Sequence, residues 1–307
     1  MATSAFFLTK TFYLHSLSKS TLSISFPSTI PLNKFNSFSL KASKMDDSEI
    51  KEVKEESVNN NNNNNNKNNN KFEKKIFVAG ATGSTGKRIV EQLLAKGFSV
   101  KAGVRDIQKA KSTFSDNPAL QIVKTDVTEG ADKLAEAISD DSEAVICATG
   151  FQRSWDPLAP WKVDYYGTVN LVEACRKRGI KRFILISSIL VNGAAMGQLL
   201  NPAYIFLNVF GLVLVAKLQA ENYIRKSGIN YTIIRPGGLK NDPPSGNIVM
   251  EPEDTLSGGS ISRDQVAQVA VEALNCEEAS YKVVEIIATP QAPQRSFQEL
   301  FSSIKQK

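Results

Sequence analysis

One stretch decides the fold: Ile76-Phe77-Val78-Ala79-Gly80-Ala81-Thr82-Gly83-Ser84-Thr85-Gly86. Its four leading apolar residues predict a short buried strand, and the three glycines that follow predict a tight turn. A helical pattern then runs from Arg88 to Gly97, and a second strand closes at Arg105. The stretch therefore predicts a β-α-β unit with a glycine-rich turn between its first strand and its helix.

This turn is suited to a dinucleotide, because glycines let the backbone approach a pyrophosphate and the helix directs unpaired N–H groups at it. The predicted contacts are Gly80, Thr82, Gly83, Ser84, Thr85 and Gly86. A purely structural glycine turn is the alternative. A nucleoside-triphosphate loop is excluded, because Ala81 occupies the place of its first glycine and Arg88 that of its magnesium-binding Ser or Thr.

Residues 1–45 have the composition of a chloroplast transit peptide. They contain five lysines, many Ser and Thr, and no Asp, Glu or Arg, and their apolar residues are scattered. An Arg-rich mitochondrial presequence and a secretory signal with one compact apolar core fit less well. Without these five lysines the formal charge falls from +6 to about +1, so we expect no nucleic-acid partner.

Residues 46–74 form an acidic stretch followed by an asparagine-rich run, which predicts a disordered linker because so few apolar residues are available for burial. Residues 75–307 are then one folded domain. The sole histidine, His15, lies in the predicted transit peptide. A mature protein without histidine lacks a histidine-based triad and the common histidine metal sites, and we expect no metal.

Strands and helices alternate along the rest of the chain. Strands are predicted at 98–104, 120–124, 144–148, 183–186, 231–234 and 282–288, and helices at 107–114, 131–138, 163–178, 217–226 and 262–274. This alternation predicts an α/β fold with a Rossmann-like, doubly wound parallel sheet, in a single domain with a small substrate-side elaboration. The ligand is expected at the carboxyl ends of the strands.

Over about residues 75–290 the chain resembles the atypical short-chain dehydrogenase/reductases, which include NmrA-like, flavin-reductase-like and biliverdin-reductase-B-like proteins and plastid NADP-binding relatives of the import machinery. The motifs that carry the resemblance are Gly80 to Gly86, Asp126-Val127, Val163-Asp164-Tyr165-Tyr166-Gly167 with Asn170, Ser187-Ser188, Lys217 with Glu221, and Ile234-Arg235-Pro236-Gly237.

The resemblance implies an NAD(P)-binding site. The further predicted cofactor contacts are Asp126, Val127, Ala148, Thr149, Gly150, Lys217, Pro236 and Gly237, together with Arg105 at the end of the second strand. In active relatives a Tyr four residues before the Lys donates a proton, and the Lys lowers its pKa and holds the nicotinamide ribose. Lys217 matches that Lys, but Val213 stands at the Tyr position, and Tyr204 is too distant along the chain to replace it. The usual proton donor is therefore absent.

Two functions remain open at this point. In the first, hydride passes to a flavin, a quinone or another conjugated acceptor that spreads the negative charge and takes its proton from water. In the second, the dinucleotide is bound without turnover and the fold acts as a redox sensor or assembly scaffold. Ser187 and Ser188, which with Lys217 are the candidate catalytic residues, either bind a substrate or satisfy the end of the fifth strand.

The end of the second strand predicts NADP(H) as the preferred cofactor, with NAD(H) as the alternative. An NAD-selective site has a carboxylate there, which repels a 2′-phosphate. This strand ends in Arg105, whose guanidinium can bind phosphate through two bonds, and Lys109 lies one helical turn away. Asp106 either binds the ribose or caps the helix that begins at Ile107.

The segment from Leu199 to Ala216 is almost wholly apolar but shorter than the ~20 residues of a membrane-spanning helix. It either lines the substrate pocket as core or forms an exposed patch that docks on a membrane or a partner. If it is exposed, we expect Phe206, Phe210 and Leu214 to contact lipid. A nearby loop, which contains Trp155, Pro157, Pro160 and Trp161, is either core or a lid over the substrate.

Together these features predict a chloroplast protein of the stroma, or of the thylakoid or plastoglobule surface, that acts on a small-molecule substrate.

Overall fold

The computed structural model describes residues 75–152 and 155–305. The predicted transit peptide (1–45) and linker (46–74) lie outside the described residues.

The described chain alternates strands and helices as the sequence predicts. The strands are β1 (Lys75–Ala79), β2 (Ser99–Val104), β3 (Leu120–Lys124), β4 (Ser142–Cys147), β5 (Arg182–Ile186), β6 (Asn230–Pro236), β7 (Gly238–Lys240), β8 (Asn247–Pro252), β9 (Ser260–Ser262) and β10 (Lys282–Thr289). The helices are α1 (Ser84–Ala95), α2 (Ile107–Thr113), α3 (Ala131–Ile138), α4 (Gly167–Lys177), α5 (Pro202–Asn208), α6 (Val213–Lys226), α7 (Arg263–Glu272) and α8 (Phe297–Ser303).

Eight strands form one sheet in the order β3-β2-β1-β4-β5-β6-β10-β8. The pairs from β3 through to β10 are parallel, and β8 alone pairs antiparallel, along β10. β7 and β9 make a separate two-stranded parallel sheet. The predicted Rossmann-like, doubly wound α/β fold is confirmed, and the strand order reverses between β1 and β4, where such sheets bind their ligands.

The sheet is buried on both faces. Along β1, Ile76 and Val78 pack into one apolar cluster, while Phe77 and Ala79 pack into the other. Neighbouring residues of a strand point to opposite faces, so helices must cover both sides. This burial explains why the strand is a continuous apolar run rather than an alternating one.

Several elements differ from the sequence prediction. The predicted helix at 163–178 is α4 preceded by a π-helical turn, Trp161–Tyr166, and α6 begins at Val213 rather than at residue 217. The chain after Lys124 leaves the sheet and forms a short 3₁₀ helix, Val127–Glu129. The sequence does not predict β7, β8, β9, α5 or α8.

About half of the residues from Leu199 to Ala216 are exposed and the others are half-buried or buried, so neither alternative holds for the whole segment. Its exposed side chains are Leu199, Leu200, Ile205, Phe206, Val209, Phe210 and Leu212, which we call the apolar patch. Leu214 is the exception to the predicted lipid contacts, because it is only 1% exposed and packs with Leu190 and Val191.

The neighbouring loop lies against this segment. A Cβ on Gly211 would lie 2.2 Å from the Pro157 carbonyl oxygen, so the two backbones touch. Trp155 is fully exposed, which excludes it from the core, whereas Trp161 is half-buried with its ring edge against Tyr165.

Within the described ranges, no single helix is long and apolar enough to cross a membrane. α5 and α6 meet that length and composition only as a pair, and they are bent by 83°.

Candidate cofactor site

The glycine-rich turn occupies the carboxyl end of β1. Gly80 has a φ of +77°, which is open to glycine at little energetic cost, and a Cβ there would lie 2.9 Å from the Ala148 carbonyl oxygen. The N–H of Gly83 donates to the Gly80 carbonyl at 2.9 Å. The turn therefore depends on glycine at its first position and packs directly against the end of β4.

The turn delivers the chain into the N-terminus of α1. Gly83 is the N-cap residue, no side chain caps the helix, and its first turn carries no acidic residue. The first N–H groups of a helix have no partner within the helix, and its N-terminus carries a partial positive charge. The arrangement fits a pyrophosphate, and contacts from Gly83, Ser84, Thr85 and Gly86 stay a prediction.

Arg105 lies just beyond the end of β2, on the edge next to the glycine turn, and its side chain is exposed. Asp106 is the N-cap of α2, where its carboxylate accepts a hydrogen bond from the Lys109 N–H at 3.0 Å. The cap alternative for Asp106 is therefore the one observed. Arg105 remains available to an anion.

The chain after β3 meets the N-terminal turn of α4 beside this edge. Asp126 accepts hydrogen bonds from the Thr128 N–H at 2.9 Å and from the Thr128 hydroxyl at 2.8 Å. The Val127 carbonyl accepts one from the Asn170 side chain at 2.9 Å. A Cβ on Gly167 would lie 2.6 Å from the Val127 side chain, so the two motifs are in contact and Val127 is buried.

The end of β4 closes the other side of the turn. The Ala148 N–H donates to the Ala79 carbonyl at 3.0 Å, which extends the β1–β4 pairing by one residue. The Thr149 hydroxyl lies 3.2 Å from the Cys147 sulfur. Gly150 is exposed, and a Cβ there would have one neighbour in van der Waals range, Asp164 Oδ1 at 4.0 Å.

Lys217 reaches this edge from α6. Its Nζ lies 2.8 Å from Asp164 Oδ1, and the Asp164 side chain is completely buried. Burial disfavours the charged form of Lys217, but the attraction of Asp164 and a hydrogen bond to it outweigh burial, so the pKa of Lys217 is raised. Lys217 is therefore held as a cation beside the segment 148–150.

The two candidate serines differ in their surroundings. Ser187 is buried, its N–H donates to the Ile234 carbonyl at 2.7 Å, and its hydroxyl donates to Glu221 Oε1 at 2.5 Å. Ser188 is half-buried, and its side chain makes no hydrogen bond within residues 75–152 and 155–305. The geometry thus ties Ser187 to the protein and leaves Ser188 the more accessible hydroxyl.

Arg235 is at the centre of a buried ionic network. Its guanidinium donates to Glu221 at 2.7 Å, to Asp254 at 2.8 Å and to Glu285 at 3.3 Å, and its side chain is 1% exposed. Glu285 in turn accepts three backbone N–H bonds, from residues 254, 255 and 256. Arg235 therefore joins α6, β6 and β10, and the motif Arg-Pro-Gly is first of all structural here.

The end of β6 is less open than the resemblance implied. Pro236 and Gly237 are both buried, and a Cβ on Gly237 would lie 2.8 Å from the Gly259 carbonyl oxygen. The structure thus brings together the glycine turn, Arg105, the residues 148–150 and Lys217, while Pro236, Gly237 and Ser187 are packed within the protein. The sequence analysis assigned no role to Asp164, although it lies in a motif that carried the resemblance.

A β-α-β glycine turn at the switch point of a doubly wound sheet, with a helix N-terminus beyond it, defines a dinucleotide-binding protein. The comparisons agree. Residues 80–277 match the family model described as NAD(P)H-binding, and the chain belongs to this family. The resemblance to atypical short-chain dehydrogenase/reductases is thereby confirmed. The family match also agrees with the expectation that the glycine turn binds a nicotinamide dinucleotide.

Individual relatives show how the similarity is distributed. An uncharacterised chloroplast protein of Arabidopsis thaliana is 74% identical over 232 residues, which cover 76% of this chain and 83% of that protein. The chloroplast protein TIC 62 of Pisum sativum is 38% identical over 256 residues, and the match covers 76% of this chain but 46% of TIC 62.

Among solved structures, a putative NAD-dependent epimerase/dehydratase from Bacillus halodurans superposes with a TM-score of 0.63 at 25% identity, covering 75% of this chain and 99% of that one.

Proposed function

We propose that this chain is a chloroplast oxidoreductase that binds NADP(H) and passes hydride to a conjugated acceptor, such as a flavin or a quinone. The observation that carries the proposal is the pair Lys217–Asp164 beside residues 148–150, in a helix where Val213 stands one turn before Lys217. The site offers a fixed cation but has no tyrosine acid at the family position.

This combination favours some acceptors over others. Reduction of an isolated carbonyl needs a proton delivered to the developing alkoxide, and a Lys with a raised pKa is a poor proton donor. A conjugated acceptor spreads the negative charge, so a nearby cation stabilises it and water can supply the proton. Bound nicotinamide supplies the hydride; the protein's own residues hold, orient and neutralise charge.

The preference for the phosphorylated cofactor rests on Arg105. It is the first residue after β2, its side chain is exposed, and the neighbouring carboxylate of Asp106 is engaged by α2. Arginine binds phosphate through paired charge-assisted hydrogen bonds. The location rests on the composition of residues 1–45 and on relatives that are named as chloroplast proteins.

The test is turnover by the purified protein with NADPH and a panel of flavins, quinones and simple ketones. We expect oxidation of NADPH with one or more conjugated acceptors and none with ketones, and we expect Lys217→Met to lower the rate at least tenfold. An exposed lysine, Lys240→Met, is the control. Binding of NADPH without oxidation by any acceptor would favour the alternative, a dinucleotide-binding scaffold or redox sensor.

A second proposal concerns the apolar patch, which we infer rests on a lipid surface. No Asp, Glu, Lys or Arg occurs between Arg182 and Lys217, so insertion of this segment into lipid moves no charge out of water. Seven exposed large apolar side chains lie within fourteen residues of sequence, and large apolar patches on a protein surface mark interaction sites. Phe206 and Phe210, whose rings are 5.7 Å apart edge to face, are its aromatic pair.

Flotation with vesicles of neutral galactolipids tests this association. The wild type is expected to float, and the variant Phe206→Ser with Val209→Ser is expected to remain at the bottom of the gradient. Leu239→Ser removes an exposed apolar side chain elsewhere and should float like the wild type. A wild type that does not float, or a patch variant that does, would contradict the proposal.

A further inference from the structure

Asp164 makes contacts with three segments of the fold. Its side chain is completely buried, Oδ2 accepts a hydrogen bond from the Phe151 N–H at 3.1 Å, and Oδ1 faces Lys217 Nζ at 2.8 Å. Its carbonyl accepts from the Thr168 hydroxyl at 2.8 Å. One carboxylate therefore links the π-helical turn, the segment after β4 and α6.

The Oδ1 atom of this carboxylate can accept a further hydrogen bond. Oδ1 is in contact with Lys217 Nζ at 2.8 Å, but within the part of the chain that the structure describes no second donor reaches it. A carboxylate oxygen has two lone pairs, so Oδ1 can accept one more hydrogen bond from a ligand or a water. The exposed backbone of Gly150 lies next to this oxygen, where a Cβ would be 4.0 Å away.

We infer that Asp164 is a positioning residue of the cofactor site: it holds Lys217 beside residues 148–150, and its Oδ1 accepts a hydrogen bond from a ligand hydroxyl next to Gly150. This inference rests on the proposed cofactor site and deepens it. A ribose carries hydroxyls of the required kind, and a carboxylate is an acceptor in its ionised form.

The groups around Lys217 show why its charge depends on Asp164. The other groups that act on it are the Cys147 thiol on β4 and Glu221, one turn further along α6. Burial raises the pKa of Cys147, so this thiol is neutral and supplies no counter-charge. Glu221 is bound by Arg235 and Ser187. Asp164 is therefore the carboxylate in contact with the ammonium, and without it burial disfavours the charged lysine.

The experiment is NADPH titration of the purified chain between about pH 6 and about pH 9.5, around the range in which a buried lysine loses its proton. The wild type is expected to show a flat profile. Asp164→Asn keeps the size of the side chain but removes its charge, so NADPH affinity should fall at neutral pH and then decline further, by roughly tenfold per pH unit, as Lys217 deprotonates.

Two further variants separate positioning from folding. Asp164→Glu keeps the counter-charge but moves the carboxylate by one methylene, so we expect weaker binding with a flat pH profile. It also tests the inference if Asp164→Asn does not fold. Asp132→Asn breaks an exposed ion pair with Lys177 and should match the wild type.

A folded Asp164→Asn variant whose NADPH affinity shows the same flat pH profile as the wild type would overturn the inference. Asp164→Glu with wild-type affinity would also overturn it. Both results leave NADPH binding by the wild type intact, so the proposed function would stand. A wild type that does not bind NADPH would overturn the cofactor site and this inference together.

Discussion

Gly86 lies so close to Gly80 that a Cβ on Gly86 would be 2.2 Å from the Gly80 carbonyl oxygen. Gly86 is a buried residue in the first turn of α1, whereas Gly80 is the first residue after β1. Contact between these two backbones lets the helix begin close to the sheet, with its N-terminus above the carboxyl end of β1. Gly80 and Gly86 are thus required for the close packing of the helix on the sheet. Gly83 has an ordinary φ of −71°, so its conformation does not require glycine.

Substitutions in the turn should separate close packing from cofactor binding. Gly86→Val forces backbone apart and should destabilise the protein by about 2–4 kcal/mol, within the range of overpacking and strain. Gly83→Val meets the Gly80 carbonyl at 3.1 Å, a smaller conflict, so the fold should survive while NADPH binding is lost. Urea unfolding and calorimetric titration measure the two effects.

Gly258→Ala is the matched control, because a Cβ there meets no atom within 4 Å. It should change neither stability nor affinity. Normal NADPH affinity in Gly83→Val would show that the pyrophosphate does not lie on this turn.

Arg105 should decide the discrimination between cofactors. Arg105→Ala removes a charge-assisted contact of ~1.5–3 kcal/mol and should raise the Kd for NADPH at least tenfold, with little change for NADH. Lys111→Ala removes a nearby exposed charge and serves as control. Equal losses for the two cofactors would contradict a 2′-phosphate contact.

Arg235 should be a stability residue. Arg235→Lys cannot reproduce the fork of donors that reaches Glu221, Asp254 and Glu285, so buried carboxylates lose their partner. We expect a loss of about 3–5 kcal/mol in the free energy of unfolding. Arg176→Lys, in an exposed pair with Glu173, should change the stability far less, because exposed ion pairs contribute little. Similar effects of the two substitutions in urea unfolding would contradict the assignment.

A pH-dependent contribution is expected from Asp141, at the opposite end of the strands. Burial raises its pKa, but hydrogen bonds from Lys101, Lys75 and Ser139 outweigh burial, and the pKa is well below its usual value. A lowered folded-state pKa adds stability above the unfolded pKa of about 4, and that stability is lost as the pH falls. Because Asp141 is half exposed, screening limits the contribution to about 1 kcal/mol.

Asp141→Asn should therefore lower stability at neutral pH, and the difference from the wild type should shrink below about pH 4. The exposed Asp116→Asn is the control. A difference that grows on acidification would contradict the account.

The parallel sheet could be predicted from sequence because its signals are local. The apolar runs and the glycine turn each specify their own element, and residues 131–138 were placed with both ends correct. By contrast β7 and β9 are three-residue strands that exist because they pair with each other, and no local pattern specifies such a pair. The antiparallel strand β8 likewise depends on β10.

What could not be predicted about the site also depends on contacts between distant parts of the sequence. The sequence showed Lys217 and its missing tyrosine, but the partner Asp164 comes from a distant helical turn that only the fold brings near. Within residues 199–216 nearly every side chain is apolar, so there is no polar contrast to show that Leu214 faces inward and Phe206 outward. Uniform composition hides the direction of each side chain.

Calorimetric titration of the wild type with NADPH and, separately, NADH tests the central claim most directly. The account predicts saturable binding of one NADPH per chain, at least about tenfold tighter than NADH, since one charge-assisted phosphate contact is worth that much. Absence of saturable binding, or tighter binding of NADH, would contradict it.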